Sequence, residues 1–169
     1  MKFSGETNFI CYTHTSTIFF VSSSLKIDIE ILENASDLPI PKYQTEGASG
    51  MDLYAALSKP IVLRPLERTL IPTGLKISLP KNLEAQIRPR SGLAYTHGIS
   101  ILNSPGTIDS DYRGEVKILL INLGRDKFVI EHSSRIAQLI IAPIIQAKLK
   151  VVLALDNTKR GQKGFGSTG

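Results

Sequence analysis

The sequence predicts an all-β fold, an antiparallel sandwich or barrel of many short strands with at most one short helix. Three observations carry this. Apolar residues recur with a period of two, and turn residues divide the apolar runs at roughly 8–12-residue spacing. No window of about 12 residues holds a 3.6-residue period.

The elements follow in order. Leu25, Ile27, Ile29 and Ile31 alternate with Lys26, Asp28 and Glu30, the pattern of a half-buried strand. Thr69–Ile71 is a short apolar run, closed by the turn Pro72-Thr73-Gly74. Leu75, Ile77 and Leu79 alternate with Lys76 and Ser78, and Pro80-Lys81-Asn82 ends that strand. Leu83, Ala85 and Ile87 obey the same rule, and a single helical turn fits near Gly92–Tyr95. Val116, Ile118 and Leu120 alternate with Lys117, Leu119 and Ile121, so this strand is apolar on both faces and central. Asn122-Leu123-Gly124 turns the chain into the runs Lys127–Ile130, Ile136–Ala142 and Leu149–Leu155, and Asp156-Asn157 closes the last.

Composition excludes several classes. With 169 residues, 42% hydrophobic and 21% charged, the chain suits one globular domain and neither disorder nor a fibrous repeat. No apolar run reaches the roughly 18 residues of a membrane-spanning helix. Cys11 is the single cysteine, so no internal disulfide and no oxidising compartment is needed, and a cytoplasmic protein is expected. His14, His97 and His132 are scattered and make no zinc site with it. Any metal is expected on oxygen ligands or carried in by the substrate.

The net charge of +5 is unevenly placed. Residues 1–134 hold 14 basic and 14 acidic side chains, and residues 135–169 hold six basic against Asp156 alone. A basic tail points to phosphate, in nucleic acid or on a small ligand. Nucleic acid is not expected, because no lysine-arginine run exists and the aromatics are not interleaved with the basic residues. Residues 1–24 stand apart as well, with nine Ser or Thr and no periodicity. They read as a disordered or loosely attached leader. Deleting them should leave melting temperature and activity nearly unchanged; a loss of several degrees would show that Phe19, Phe20 and Val21 pack on the domain.

Five stretches interrupt the strand logic: Gly47–Leu57, Arg88–Ile99, Asn103–Gly114, Arg135–Ile141 and Arg160–Gly169. Each has a plain reading alone. The tail Gly164-Phe165-Gly166-Ser167-Thr168-Gly169 matches GxGxxG, and Gly161 to Ser167 approaches a P-loop without its lysine. Both motifs act through a helix that follows the glycines, and no residue after them is present to form one. A flexible basic tail with one aromatic remains, in which Arg160 can grip phosphate bidentately. Asp109 and Asp111 beside Tyr112 and Arg113 make a common turn, or an acid that takes a proton from water next to an aromatic face for a sugar or base. Arg88, Arg90 and Ser91, on the turn made by Pro89 and Gly92, make a solvated hairpin or an anion cradle.

Taken together and in order, the five stretches resemble the five motifs of trimeric deoxyuridine triphosphatases, over residues 25 to 169. The resemblance implies a jelly-roll-like distorted β-barrel over residues 25–158 and a flexible lid over residues 159–169. It implies a homotrimer with sites shared between subunits, and Mg²⁺-dependent hydrolysis of dUTP to dUMP and pyrophosphate. Asp109 matches the acid that activates the attacking water. Tyr112 matches the aromatic that packs on deoxyribose and excludes a 2′-hydroxyl. Asn103 and the backbone of Gly106, Thr107 and Ile108 match the groups that read uracil. Arg90, Ser91 and Gly92 match a phosphate cradle, and Gln138 a further phosphate contact. Arg160 matches the tail arginine on the terminal phosphate. Phe165 matches the aromatic that covers uracil, and Gly166 and Ser167 lie in the same motif. Asp52 matches a supporting acid near the metal and the phosphate arginines. The metal itself is expected on the triphosphate and water, with no direct protein ligand.

The tail departs from the family pattern at Lys163, where glycine is common; this adds a charge near the phosphates and costs flexibility. Two other readings compete. A dCTP deaminase would share the architecture but would usually need a glutamate where this chain has Asp109. A non-catalytic regulator would bind dUTP and signal to a partner; intact Asp109, Tyr112 and tail argue against lost catalysis.

Overall fold

The computed structural model describes residues 25–164 and Gly166. The leader 1–24, Phe165, Ser167, Thr168 and Gly169 lie outside the described residues.

Among the described residues, eleven short strands and one α-helix follow each other. They are β1 (Asp28–Ile31), β2 (Met51–Tyr54), β3 (Ile61–Leu63), β4 (Arg68–Pro72), β5 (Leu75–Ser78), β6 (Leu83–Arg88), α1 (Ser91–His97), β7 (Ile99–Ile101), β8 (Gly106–Ile108), β9 (Lys117–Asn122), β10 (Phe128–Ile130) and β11 (Arg135–Pro143). A 3₁₀ turn, Glu33–Ala35, follows β1. Every strand pairing among the described residues is antiparallel. The strands form a four-stranded sheet β2-β11-β6-β8, a three-stranded sheet β4-β9-β7, and the pairs β1-β5 and β10-β3. The architecture is jelly-roll-like, and the sheets do not close into a barrel.

Alternation explains the packing. In β9 the side chains of Ile118, Leu120 and Asn122 are buried, and the strand sits between β4 and β7, as expected of a central strand. One core takes Leu53, Ala85, Ile87, Ala137 and Leu139 from the large sheet. It takes Ile71, Ile99, Ile101, Ile118 and Leu120 from the three-stranded sheet, and Leu63, Leu75, Ile77 and Ile130 from the two pairs. Asn122 is fully buried, yet satisfied: its Nδ2 donates to Leu63 O at 2.9 Å and Asp126 O at 2.8 Å, and its Oδ1 accepts from Gly124 N at 2.8 Å.

Three expectations need correction. The helix runs over seven residues, Ser91–His97, rather than a single turn. None of its residues is buried, so it carries no apolar stripe for periodicity to reveal. The strand around Ile29 is more open than half-buried, with Ile29 40% and Ile31 41% exposed. It borders an open apolar groove of about 510 Å³ that none of the described residues fills. Finally, Leu149–Leu155 forms no strand. Leu149, Val151 and Leu153 are almost wholly exposed, and among the described residues this run has no partner strand. No helix among the described residues is long and apolar enough to cross a membrane.

Candidate functional site

The large sheet assembles a polar cleft at one end. β2 presents Asp52, β11 presents Gln138, and the chain leaving β6 through Pro89 delivers Arg90, Ser91 and Gly92 at the start of α1. These residues, with Gln44, Ala48 and Gly50, line a cleft of about 240 Å³.

Asp52 organises the cleft. It is 9% exposed, and both of its oxygens are occupied. Arg90 Nε donates to Oδ1 at 2.9 Å, and Arg135 Nη1 donates to Oδ2 at 3.3 Å. A second Arg90 nitrogen donates to Arg135 O at 3.3 Å. A carboxylate largely removed from water is costly unless paired, and two guanidiniums meet that cost here. The pairing also fixes both arginines in position, so an incoming anion meets cations that need no reordering.

Gln138 is held by its own neighbours. Its Nε2 donates to Pro89 O at 3.2 Å, which links β11 to the turn that carries Arg90. Gly50 allows this approach, since a Cβ there would lie 3.0 Å from Gln138 Oε1.

Arg135 is the partner of Asp52 that sequence reasoning did not single out. In a regular strand, residues 135 and 138 would face opposite sides. The pairing of β11 with β2 shifts register between Arg135 and Ala137, and this bulge returns Arg135 to the side of Asp52. The one available signal was its place at the head of the fourth stretch.

The turn before β11 is clamped to the exit of β2. Ser133 N donates to Ala55 O and Ala55 N to Ser134 O, each at 2.9 Å. His132 Nδ1 accepts from Leu57 N at 3.1 Å, so its proton sits on Nε2, which donates to Asp37 at 3.0 Å. The His132 hydrogen bond holds the Asp37 carboxyl below its ordinary range. These bonds set the positions of Asp52 and Arg135 relative to each other.

The third stretch forms a separate surface. β8 pairs with β6, placing Gly106 opposite Ile87, Thr107 opposite Gln86 and Ile108 opposite Ala85. The Asn103 side chain lies against Gly106. Asp109 follows the strand with an exposed side chain, and among the described residues its carboxylate accepts no hydrogen bond. Tyr112 N donates to Asp109 O at 3.1 Å, and the Tyr112 hydroxyl donates to Glu115 O at 3.0 Å. The ring lies back over Gly114, where a Cβ would collide with the hydroxyl. Arg113 turns inward onto its own loop, donating to Ser110 O and Tyr112 O at 2.8 Å each.

The chain thus brings Asp52, Arg90, Ser91, Gly92 and Gln138 into one cleft, and groups Asn103, Gly106, Thr107, Ile108, Asp109 and Tyr112 on the segment that runs through β8. The residues of that segment do not line the cleft. Arg160 lies on an exposed turn, its Nε donating to Lys163 O at 2.9 Å, and Gly166 is exposed. Phe165 and Ser167 fall outside the described residues. Among the described residues no group of three His, Cys, Asp or Glu side chains could hold a metal.

Comparison with known proteins identifies the family. The dUTPase family model matches residues 36–169. A deoxyuridine 5'-triphosphate nucleotidohydrolase from Brucella melitensis is 56% identical over 150 residues, covering 88% of this chain and 96% of the relative. One of the same name from Ehrlichia canis is 55% identical over 138 residues, covering 80% and 90%. The structure of Staphylococcus bacteriophage 80alpha dUTPase with dUPNHPP superposes with a TM-score of 0.76 at 27% identity, covering 85% of this chain and 98% of that one. With the five stretches in order, the same sheet architecture and a family match over most of its length, this chain belongs to the dUTPase family.

Proposed function

We propose that the protein hydrolyses dUTP to dUMP and pyrophosphate, which lowers dUTP and supplies dUMP. The observation that carries the reading is the Asp52-centred pair of arginines beside Ser91, Gly92 and Gln138, in a chain of this family. Phosphoryl transfer depends on positioning and charge neutralisation more than on covalent chemistry, and the cleft is built for both.

Asp109 is assigned as the general base. Its exposed carboxylate supports that role, since among the described residues no hydrogen bond competes for the proton it would take from water. Tyr112 is assigned to deoxyribose. Asn103 with the backbone of Gly106, Thr107 and Ile108 is assigned to uracil, as an edge of β8 beside an amide side chain offers both donors and acceptors. Residues 159–169 act as a lid, with Arg160 on the terminal phosphates and Phe165 on the base.

Mg²⁺ belongs to this proposal. The donor set fits an ion carried by the substrate, because Mg²⁺ keeps its waters and commonly binds through phosphates with few protein ligands. Asp52 is engaged by two arginines and acts by ordering them rather than by ligating the ion. When bound, the ion neutralises phosphate charge and fixes the triphosphate's geometry.

A homotrimer with shared sites is also proposed. The apolar groove beside β1 and the exposed Leu149, Val151, Leu153 and Leu155 are surfaces that a second copy of the chain would cover. A cytoplasmic setting completes the reading.

Two experiments test it. In a panel of dUTP, dCTP, dTTP and UTP, only dUTP should turn over rapidly; ammonia from dCTP would establish a deaminase instead, and dUTP binding without turnover a regulator. Tyr112→Ala should raise UTP turnover relative to dUTP, because the discrimination is steric. An unchanged ratio of kcat/KM for the two nucleotides would remove Tyr112 from the role.

A further inference from the structure

The tail carries a second cation tied to the first. Lys163 N donates to Arg160 O at 3.2 Å, and Arg160 Nε donates back to Lys163 O at 2.9 Å. Gly161 N completes the turn by donating to Thr158 O and Oγ1, each at 3.1 Å. Lys163 is therefore bound to Arg160 through both its N–H and its carbonyl. Both side chains are exposed, and among the described residues neither forms an ion pair. The nearest acid in sequence is Asp156, the sole one in residues 135–169.

The proposed site is less positive than its arginines suggest. Arg90 and Arg135 share Asp52, which leaves one net positive charge, and Asp109, which lies outside the cleft but within the proposed site, brings the total to zero. A triphosphate with one Mg²⁺ keeps about two negative charges. Arg160 can answer one of them. The fixed turn supplies the other cation.

We propose that Lys163 is a polyphosphate-binding residue of the tail, acting beside Arg160 on the charge of the β- and γ-phosphates. The inference rests on the tail closing over the site. Lysine is a compact point charge on a flexible stem, without the planar fork of arginine. Its contribution is to affinity and its salt dependence rather than to geometry. Such attraction acts on ground and transition states alike, so its loss falls on KM and not on kcat. Free pyrophosphate, which keeps most of that charge, is held by the same pair.

The test uses full-length wild type, Lys163→Gln, Lys163→Arg and Arg160→Ala. Calorimetry measures Mg²⁺ with a non-hydrolysable dUTP analogue, and dUMP, at low and at high salt. Lys163→Gln should weaken analogue binding about fivefold at low salt and less at high salt. Affinity for dUMP should stay the same, and Lys163→Arg should restore most of the loss. Wild-type analogue affinity in Lys163→Gln, with Arg160→Ala weakened, would overturn the role of Lys163 alone. Wild-type affinity in both would overturn the lid reading beneath it. Equal weakening of analogue and dUMP would show that Lys163 acts through the tail's fold, which also contradicts the proposal.

Discussion

Asp109→Asn should bind a non-hydrolysable dUTP analogue with near wild-type affinity and lose about 10²–10⁴-fold in kcat, the usual range for a general base. Asparagine keeps the shape of the side chain and cannot take a proton. Asp109 sits at the end of β8 with its carboxylate exposed and, among the described residues, unbonded. No buried network depends on it, so the variant should fold and melt like wild type. Asp52→Asn would behave differently. It removes the charge that holds Arg90 and Arg135 at 2.9 and 3.3 Å, so binding and turnover should both suffer. Steady-state kinetics beside calorimetry separates the two. An Asp109→Asn protein that keeps more than half of wild-type kcat would move the base elsewhere.

Truncation after Thr158 should lower kcat by about 10²-fold or more while leaving oligomeric state and melting temperature intact, on the scale of removing one preorganised donor from a reacting centre. The described part of the tail buries nothing: residues 158–163 are all exposed. Its internal bonds run within one turn, from Thr158 to Gly161 and from Arg160 to Lys163. The fold therefore loses little when it is removed. Arg160→Ala alone should reproduce much of the loss in kcat. Size-exclusion chromatography and a dUTP assay on the truncated protein decide the matter. Full activity would sink the lid, and dissociation of the assembly would show that the tail is structural.

Much of the fold was legible because burial alternates along its strands. β5, β6 and β9 each place apolar side chains inward at every second residue, which a period of two detects directly. β2 escaped because its burial does not alternate: Asp52 and Leu53, neighbours in sequence, are both buried, and one of them is a carboxylate. Leu149–Leu155 read as a strand and is none within this chain. Alternation reports what a segment needs buried against it, not which chain supplies the cover.

The site was legible as chemistry and not as geometry. The order of the five stretches pointed to the residues, but no sequence pattern shows that Asp52 would hold two arginines. The bulge that turns Arg135 toward Asp52 lies in strand register, which leaves no composition signal. The separation between the Asp52 cleft and the Asp109 segment was equally hidden, because it follows from β8 joining the sheet at β6 rather than at β2.

Phosphorus NMR of a complete dUTP digest with Mg²⁺ tests the central claim most directly. The account predicts dUMP and pyrophosphate in equal amounts, with no orthophosphate. Release of dUDP and orthophosphate would place the cleavage at the wrong anhydride. Intact dUTP alongside tight binding would contradict catalysis altogether.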